Sequence, residues 1–248
     1  MIVLKSPAEI QIMRESGRIV AEVHELLKEK IAPGITTFEL EELAIKETKK
    51  RNAVPAFKGY AGFPYALCCS PNSSVIHGMP NKNPLRTGDI LSIDFGVQYK
   101  GYFGDSAFTV AVGDISPEAA KLLTVTEQSL YNGIEHALAG GRLFDISSAV
   151  QQHVESFGFS VVRDFVGHGI GRKLHEDPRV PNYGVAGKGL RLKPGMVLAI
   201  EPMVNQGVYN VKILDDGWTV VTSDGKLSAH FEHTVAITEN GPEILTSV

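Results

Sequence analysis

The stretch ILSIDFGVQYKGYFGDSAFTVAV, residues 90–112, decides the fold. Two short apolar runs flank Lys100-Gly101, a dipeptide typical of the turn between two antiparallel strands. Asp94 lies inside the first run, and Asp105 is expected to start the paired part of the second. Burying an isolated carboxylate is costly, so an acid within an apolar strand needs a partner. The stretch therefore predicts a β-hairpin that presents two acids to a common site.

Two helix start signals precede this hairpin. Residues 6–9, Ser-Pro-Ala-Glu, form a capping box with proline at the first helical position, and the apolar spacing behind it predicts a helix to about residue 31. Residues 36–39, Thr-Thr-Phe-Glu, open a second helix, which ends in the cations Lys49 to Arg51. A ribosome or nucleic-acid contact is one interpretation of these cations. We favour a solvated helix end.

The same pattern starts again after the hairpin. Ser116 opens a long helix to about Leu138, and Asp145 is expected to cap a shorter one to about Phe157. A set of four residues then recurs at a constant offset: Gly88, Leu91, Ile93 and Asp94 match Gly195, Leu198, Ile200 and Glu201. Such self-similarity predicts a duplicated helix–helix–sheet unit. With no linker between them, the halves (about 1–113 and 114–248) are expected to form one domain, 1–248, with one shared sheet.

The duplication predicts where the acids meet. Glu201 ends an apolar strand and Glu232 starts another, in places equivalent to Asp94 and Asp105. If the halves pack about a pseudo-twofold axis, four carboxylates converge, and they raise one another's pKa unless cations neutralise them. Two divalent ions balance four carboxylates. A carboxylate-rich site with one imidazole suits Mn, Fe, Co or Zn.

Three histidines are candidates for this site. His168 lies within Gly-His-Gly-Ile-Gly, residues 167–171, whose glycines are expected to let the backbone bend closely around a ligand. His175 follows shortly after it. His77 lies in a loop bounded by glycine and proline. We interpret His168 as the imidazole ligand.

Each signal also has an ordinary structural alternative. Taken alone, Asp105 can be a turn former, His168 a hydrogen-bonded loop histidine, and Glu201 a surface acid at a strand end. His230 and His233 flank the last acid and could support the ligands, although a structural role is favoured for both. The joint pattern, rather than any one residue, indicates a metal centre.

Composition excludes several classes of protein. The chain of 248 residues carries 24 basic and 28 acidic residues, so it has no excess positive charge to gather nucleic acid. No apolar run approaches the ~18 residues of a membrane span. Its only two cysteines, Cys68 and Cys69, are adjacent, which excludes a disulfide framework. The sequence predicts a cytoplasmic protein with no membrane or specific nucleic-acid partner.

On these motifs the sequence resembles the methionine aminopeptidases of type I. The resemblance spans essentially the whole chain and implies the pita-bread fold, an α+β fold with pseudo-twofold duplicated helix–helix–sheet halves around a curved antiparallel sheet. It also implies five metal ligands in the order of the family: Asp94, Asp105, His168, Glu201 and Glu232. In that pattern Asp94 binds one of two divalent ions, His168 and Glu201 bind the other, and Asp105 and Glu232 bridge them.

The resemblance also implies a function. The initiator methionine would be removed from nascent chains whose next residue is small, by attack of a water that the two metals activate. Glu201 would act as the acid/base, His175 would donate a hydrogen bond to the developing oxyanion, and His77 would contact the scissile amide nitrogen. The implied partners are nascent polypeptide N-termini, with a transient ribosome contact left open and a monomer as the family default.

The implied methionine pocket is aromatic and sulfur-rich, which suits a thioether. Besides the two histidines His77 and His175, its positions fall on Tyr60, Phe63, Cys68, Met203 and Trp218. Core packing is the alternative for each of these five. Phe57, Ala61 and Leu174 depart from residues common in the family, and this leaves the width of the pocket open.

Two rival functions stay open. Aminopeptidase P and prolidase share the five ligands but carry a preceding N-terminal domain, which this chain is expected to lack because its first helix begins at residue 6. Type II enzymes carry a helical insertion between the last two glutamates, and the short segment from Glu201 to Glu232 excludes it. The rivals are an X-Pro aminopeptidase-like exopeptidase and a non-catalytic binding protein of the same fold.

Overall fold

The computed structural model describes residues 2–248. Its four α-helices are α1 (Pro7–Lys30), α2 (Thr37–Lys50), α3 (Pro117–Glu135) and α4 (Leu143–Ser156). Its strands are β1 (Val54–Pro55), β2 (Leu67–Pro71), β3 (Ser74–Ile76), β4 (Ile90–Tyr99), β5 (Tyr102–Ala111), β6 (Ser160–Val161), β7 (Gly167–Gly169), β8 (Glu176–Val180), β9 (Val197–Ile200), β10 (Met203–Asn205), β11 (Val211–Ile213), β12 (Val220–Thr222), β13 (Ser228–His230), β14 (Glu232–Thr238) and β15 (Gly241–Ile244). Within residues 2–248, no helix is long and apolar enough to span a bilayer.

A nine-stranded antiparallel sheet forms the centre of the molecule. Its order is β1-β4-β5-β14-β9-β7-β8, with β2 added on β4 and β15 on β14. Two three-stranded sheets, β13-β10-β6 and β11-β12-β3, lie beside it. The predicted hairpin is confirmed, since β4 pairs with β5 from Ile90↔Ala111 to Tyr99↔Tyr102.

The helix starts follow their capping signals. Ser6 and Thr36 are the N-caps of α1 and α2, and both capping boxes are complete. The fourth helix differs from its prediction, because Arg142 is its N-cap. Asp145 caps from the third helical position, where its carboxylate accepts the Arg142 backbone N–H at 2.7 Å. The third helix ends at Glu135, earlier than the predicted Leu138. At this end the His136 N–H donates to the Gly133 carbonyl at 3.1 Å, a hydrogen bond between residues three apart, so the last turn is tighter than an α-helical turn.

The basic end of α2 is partly neutralised by ion pairs within the protein. Arg51 Nε donates to Glu22 at 2.8 Å and its Nη1 donates to Glu47 at 3.0 Å, while Lys50 Nζ lies 2.5 Å from Glu47. Surface ion pairs of this kind contribute little to stability. They do lower the positive charge that this helix end presents.

Strand alternation separates the two faces of the central sheet. On β4, Ile93 and Phe95 enter the main apolar core together with residues of α1, so Asp94 between them faces the other way. On β5, Phe108 packs against His24 of α1, with ring centroids 4.7 Å apart. The helices therefore cover one face of the sheet, and the acids lie on the opposite face.

The halves of the chain meet where β5 pairs with β14. Only two residue pairs form this ladder, Glu232↔Ala107 and His233↔Ser106. Hydroxyl groups extend it: Ser106 Oγ donates to the Glu232 carbonyl at 2.6 Å, and Thr234 Oγ1 accepts the Asp105 N–H at 3.0 Å and donates to the Asp105 carbonyl at 2.7 Å. We call this junction the seam.

Candidate metal centre and substrate cavity

The four acids come together from three strands of the sheet and from the residue that follows a fourth. Asp94 is on β4, Asp105 on the adjacent β5, Glu232 at the start of β14, and Glu201 directly after β9. Asp105 lies inside its strand rather than at the start, because pairing with β4 continues to the turn. It is only 3% exposed and lies within a strand, so it is not a turn former. The Glu201 side chain is 12% exposed, so it is not a surface acid.

His168 faces these acids with one ring nitrogen. Its Nδ1 lies 2.9 Å from the Gly169 carbonyl, which can only accept a hydrogen bond, so Nδ1 carries the proton. Nε2 then has a free lone pair. It lies 3.9 Å from Asp105 Oδ2 and 3.6 Å from Glu201 Oε1. A neutral imidazole held in this way by its other nitrogen is how proteins orient a metal-ligating histidine.

Buried oxygens without partners test whether a metal fits. Asp94 Oδ1, Asp105 Oδ1 and Glu232 Oε1 are buried and have no hydrogen-bond partner among residues 2–248. The ligating atoms of Asp105, His168 and Glu232 lie within 4.8 Å of one another. Native proteins seldom leave buried polar atoms unpaired, and a bound ion is one of the accepted reasons. The donor set, carboxylates plus one imidazole, fits a divalent metal.

The charges of the cluster support the same fit. Burial raises the pKa of Asp105 to about 7. Burial and the negative charges of the neighbouring acids raise the pKa values of Asp94 and Glu232 well above their ordinary range. Burial also raises the pKa of Glu201 and lowers that of His168 to about 3. The cluster therefore cannot hold four negative charges by itself, and cations would favour its ionised form.

The glycines around His168 allow neighbouring segments of the chain, rather than a ligand, to approach the backbone closely. A side chain at Gly167 would collide with the Ala199 carbonyl of β9, and one at Gly169 with the Asp177 carbonyl of β8. At Gly171 the obstacle would be the Lys5 side chain. The close approach that we predicted is therefore real, but its partners are neighbouring segments of the chain.

A cavity of about 130 Å³ joins the acids to an apolar wall. Of the seven predicted pocket residues, six line it: Tyr60, Phe63, Cys68, His77, His175 and Trp218. Phe57, Ala61 and Leu174 line it as well. Phe63 and Trp218 meet edge to face, with centroids 5.2 Å apart. The structure does not bring Met203 to this wall, because Met203 is fully buried in a separate cluster with Val75, Ile76, Val162 and Val220.

His77 and His175 both line the cavity. His77 adopts a left-handed backbone (φ 58°), and its ring meets Phe165 and Trp218 edge to face. Burial lowers the pKa of His77 to about 4 and also lowers that of His175. Both imidazoles are thus neutral near pH 7, in the form that can donate one hydrogen bond and accept another.

His230 lies closer to the acidic cluster than its place in the sequence indicated. His230 is 1% exposed, and its Nε2 lies 3.8 Å from Glu201 Oε2. Neither of its ring nitrogens has a hydrogen-bond partner within residues 2–248. Only its position two residues before Glu232 pointed to this contact. His233 faces away from the site and bonds the Thr246 hydroxyl at 2.8 Å.

A wider groove of about 700 Å³ adjoins the small cavity. The two share His168 and His175, and the groove continues past Tyr102, Phe165 and Arg179 to the surface. A small cavity next to a wider groove can hold one end residue of a chain and leave room for the residues that follow it.

Comparison with known proteins identifies the family. Metallopeptidase family M24 matches this chain over residues 11–239. A methionine aminopeptidase of Clostridium perfringens is 60% identical over 248 residues, with both chains covered in full. The chain belongs to the methionine aminopeptidases of family M24. As members of a metallopeptidase family these enzymes use divalent metals, which agrees with the unpartnered carboxylate oxygens described above.

Solved structures of similar proteins confirm the predicted fold. The crystal structure of a methionine aminopeptidase from Thermotoga maritima has a TM-score of 0.99 with this chain at 48% identity, and each chain is covered completely. A prolidase from Pyrococcus furiosus shares the fold, with a TM-score of 0.82 at 24% identity. The present chain is covered to 99% but spans only 66% of that prolidase. The α+β pita-bread fold predicted from the sequence is therefore confirmed.

Proposed function

We propose that this M24 metallopeptidase removes the N-terminal methionine from nascent proteins and peptides when the next residue is small. One observation carries the proposal: the acids and the apolar wall line the same small cavity. At about 130 Å³ it is well below the size of ordinary small-molecule pockets, and this suits a single side chain. Aromatic rings and Cys68 favour a flexible thioether there.

The metal would be held by Asp94, Asp105, His168, Glu201 and Glu232. Divalent cations bound there supply a nucleophilic water at neutral pH and polarise the scissile carbonyl. Two ions balance four carboxylates, and Co, Mn, Fe and Zn all accept this donor set.

Three residues would then act on the substrate. Glu201 accepts the proton of the attacking water and returns it to the departing amine nitrogen. His175 donates a hydrogen bond to the carbonyl oxygen as it gains negative charge. His77 contacts the scissile amide nitrogen and orients it. The neutral state of both imidazoles supports these roles.

The methionine side chain would enter between Tyr60, Phe63, Cys68 and Trp218. Phe57, Ala61 and Leu174 complete that wall, so they would set its width. The residue after methionine would face the groove that His168 and His175 share, where a bulky side chain would crowd the two imidazoles.

We further propose one catalytic domain, residues 1–248, that acts as a cytoplasmic monomer on emerging N-termini. The site supports one domain because Asp94 and Asp105 come from the first half and the remaining ligands from the second. The free, buried thiols of Cys68 and Cys69 support a reducing compartment. The ion pairs of Lys50 and Arg51 argue against a ribosome or nucleic-acid contact at that helix end.

Hydrolysis of two peptides tests the function. Met-Ala-Ser and Ala-Pro-Ala are compared with metal-free protein and after addition of Co, Mn, Fe or Zn. Metal-dependent release of methionine alone is expected. Cleavage of the proline peptide instead would mean an X-Pro aminopeptidase, and no cleavage with metal bound would mean a binding protein. Light scattering at working concentration tests the monomer.

A further inference from the structure

We propose that Tyr60 is a positioning residue for His175, whose imidazole it holds in the tautomer that carries the proton on Nε2. The inference rests on the proposed function, in which His175 donates a hydrogen bond to the scissile carbonyl. It gives Tyr60 a second role beside its contact with the methionine side chain.

The contact between the two residues is a well-formed hydrogen bond. Tyr60 Oη lies 2.7 Å from His175 Nδ1, and the ring centroids are 5.1 Å apart with the planes inclined by 58°. The Tyr60 hydroxyl has no other hydrogen-bond partner among residues 2–248. Its single hydrogen is therefore available for the imidazole.

The direction of this bond follows from the chemistry of the two groups. A neutral imidazole has one nitrogen with a lone pair and one with a hydrogen. A phenol is a good donor through its hydroxyl hydrogen and a weak acceptor through its conjugated oxygen. The hydroxyl therefore donates to Nδ1, and the remaining hydrogen of His175 is on Nε2.

His168 shows what this bond decides. Its Nδ1 donates to the Gly169 carbonyl, so its Nε2 carries a lone pair that suits a metal. The rings of His168 and His175 meet nearly at right angles, with centroids 4.2 Å apart. If His175 were protonated on Nδ1, as His168 is, its Nε2 would present a lone pair to the substrate carbonyl oxygen and would repel it. Neighbouring imidazoles thus need opposite tautomers, and opposite partners on Nδ1 provide them.

The backbone around Tyr60 is built to hold its side chain. Gly59 and Gly62 have φ values of +85° and +93°, and Ala61 has the uncommon left-handed φ of +48°. The Tyr60 N–H donates to the Phe57 carbonyl, and its own carbonyl accepts the Phe63 N–H, both at 2.9 Å. Because the Tyr60 ring also lines the cavity, a side chain packed against it restrains the group that orients His175.

The tautomer is measured directly by NMR. In the full-length chain labelled with 15N and loaded with diamagnetic Zn²⁺, two-bond nitrogen–proton correlations report which imidazole nitrogen is protonated, and His175→Asn assigns the signal. We expect a proton on Nε2 of His175 and on Nδ1 of His168. In Tyr60→Phe, the His175 signals should shift toward a mixture of the two tautomers.

Kinetics of the same variants supply the second readout. Tyr60→Phe keeps the ring and removes only the hydroxyl, so kcat for Met-Ala-Ser should fall on the order of tenfold with KM changed less than about twofold. Tyr65→Phe is the matched control, because Tyr65 packs on Phe63 and its hydroxyl has no hydrogen-bond partner in residues 2–248. It should leave both constants unchanged.

Two outcomes would overturn the inference. One is a proton on Nδ1 of His175 in the wild type. The other is Tyr60→Phe with an unaltered tautomer and unaltered kcat. Failure of the proposed function is a separate result: the wild type would release no methionine with any metal, while the NMR signals would still report the tautomer.

Discussion

Lys5 Nζ lies 2.6 Å from Glu176 Oε2, and the two side chains are only 4% and 10% exposed. The pair joins the segment before α1 to the residue that follows His175. Removing one partner of a buried ion pair leaves an unpaired charge, which costs about 3–5 kcal/mol. Lys5→Met should therefore lower the free energy of unfolding by about 3 kcal/mol, as measured by urea denaturation.

The double variant Lys5→Met/Glu176→Leu is the test of that explanation. If the unpaired carboxylate causes the loss, the double variant should recover most of it. Lys100→Met breaks the exposed pair with Glu15 and serves as the control, with little or no expected change. A double variant as unstable as the single one would contradict the ion-pair account.

Metal binding should stabilise the fold. An ion that binds only the folded chain adds about 2.7 kcal/mol at 100 times its Kd. Thermal unfolding should therefore move to higher temperature with added Zn²⁺ or Mn²⁺. Glu232→Gln should lose most of this shift. Glu239→Gln, an exposed acid outside the cluster, should keep it, and equal shifts in both variants would exclude Glu232 as a ligand.

His175 should affect turnover rather than metal binding. Loss of one hydrogen bond to a developing oxyanion slows catalysis by about 100-fold or more. In His175→Ala, kcat should fall by about that factor while the metal affinity from calorimetry stays close to wild type. Equal losses of turnover and metal would refute the donor role. Glu201→Gln should abolish turnover, and an active variant would exclude its acid/base role.

Lowering the pH should remove the contribution of Glu9 to the stability of the folded chain. Donation from the Tyr102 hydroxyl at 2.5 Å, with the Ser6 cap, lowers the pKa of Glu9 from 4.5 to about 2. Because the pKa of Glu9 is lower in the folded chain than in the unfolded chain, its contribution to stability is complete above pH 4.5 and disappears as the pH falls toward 2. Wild type should be more stable than Glu9→Gln above pH 4.5, with the gap closing toward pH 2. Tyr102→Phe should reduce that gap, and a gap independent of pH would contradict this account.

Gly78 should be needed for the position of His77. A side chain there would collide with the Cys69 carbonyl, and two hydrogen bonds tie Gly78 to Cys69 (2.7 Å) and to Ser70 (3.1 Å). Gly78→Ala should cost about 1–3 kcal/mol of stability and also lower turnover. Ser70→Ala, which removes one of these bonds and adds no atom, should have the smaller effect. A fully active and stable Gly78→Ala variant would contradict this assignment.

Much of the fold could be predicted from local signals. Capping boxes at Ser6 and Thr36 and the turn at Lys100-Gly101 depend on neighbouring residues alone, so single segments of sequence contain them. The start of α4 was misplaced because Asp145 can cap either from the N-cap or from the third helical position. From the N-cap an aspartate accepts N–H groups of the first helical turn, and from the third position it accepts the N-cap N–H; the residue type suits both, so the sequence does not distinguish them.

The candidate site was predictable where the duplication repeats it. Asp94 and Glu201 occupy matching places in the two halves, and this pairing indicated a centre that neither half contains. Contacts between segments that are distant in the chain have no corresponding pattern in the sequence. Tyr60 and His175, or Lys5 and Glu176, meet only through the complete fold. Met203 is similar, because its residue type suits either the wall of a cavity or the core behind it.

The seam also determines when the site can form during synthesis. The strand β14 lies between β5 and β9, yet it follows both in the chain. A growing chain that has already produced Asp94, Asp105, His168 and Glu201 still lacks Glu232 and the strand that joins its two halves. If Glu232 is a metal ligand, as we propose, the site is complete only once β14 has been synthesised, so a chain that stops before residue 232 should lack peptidase activity.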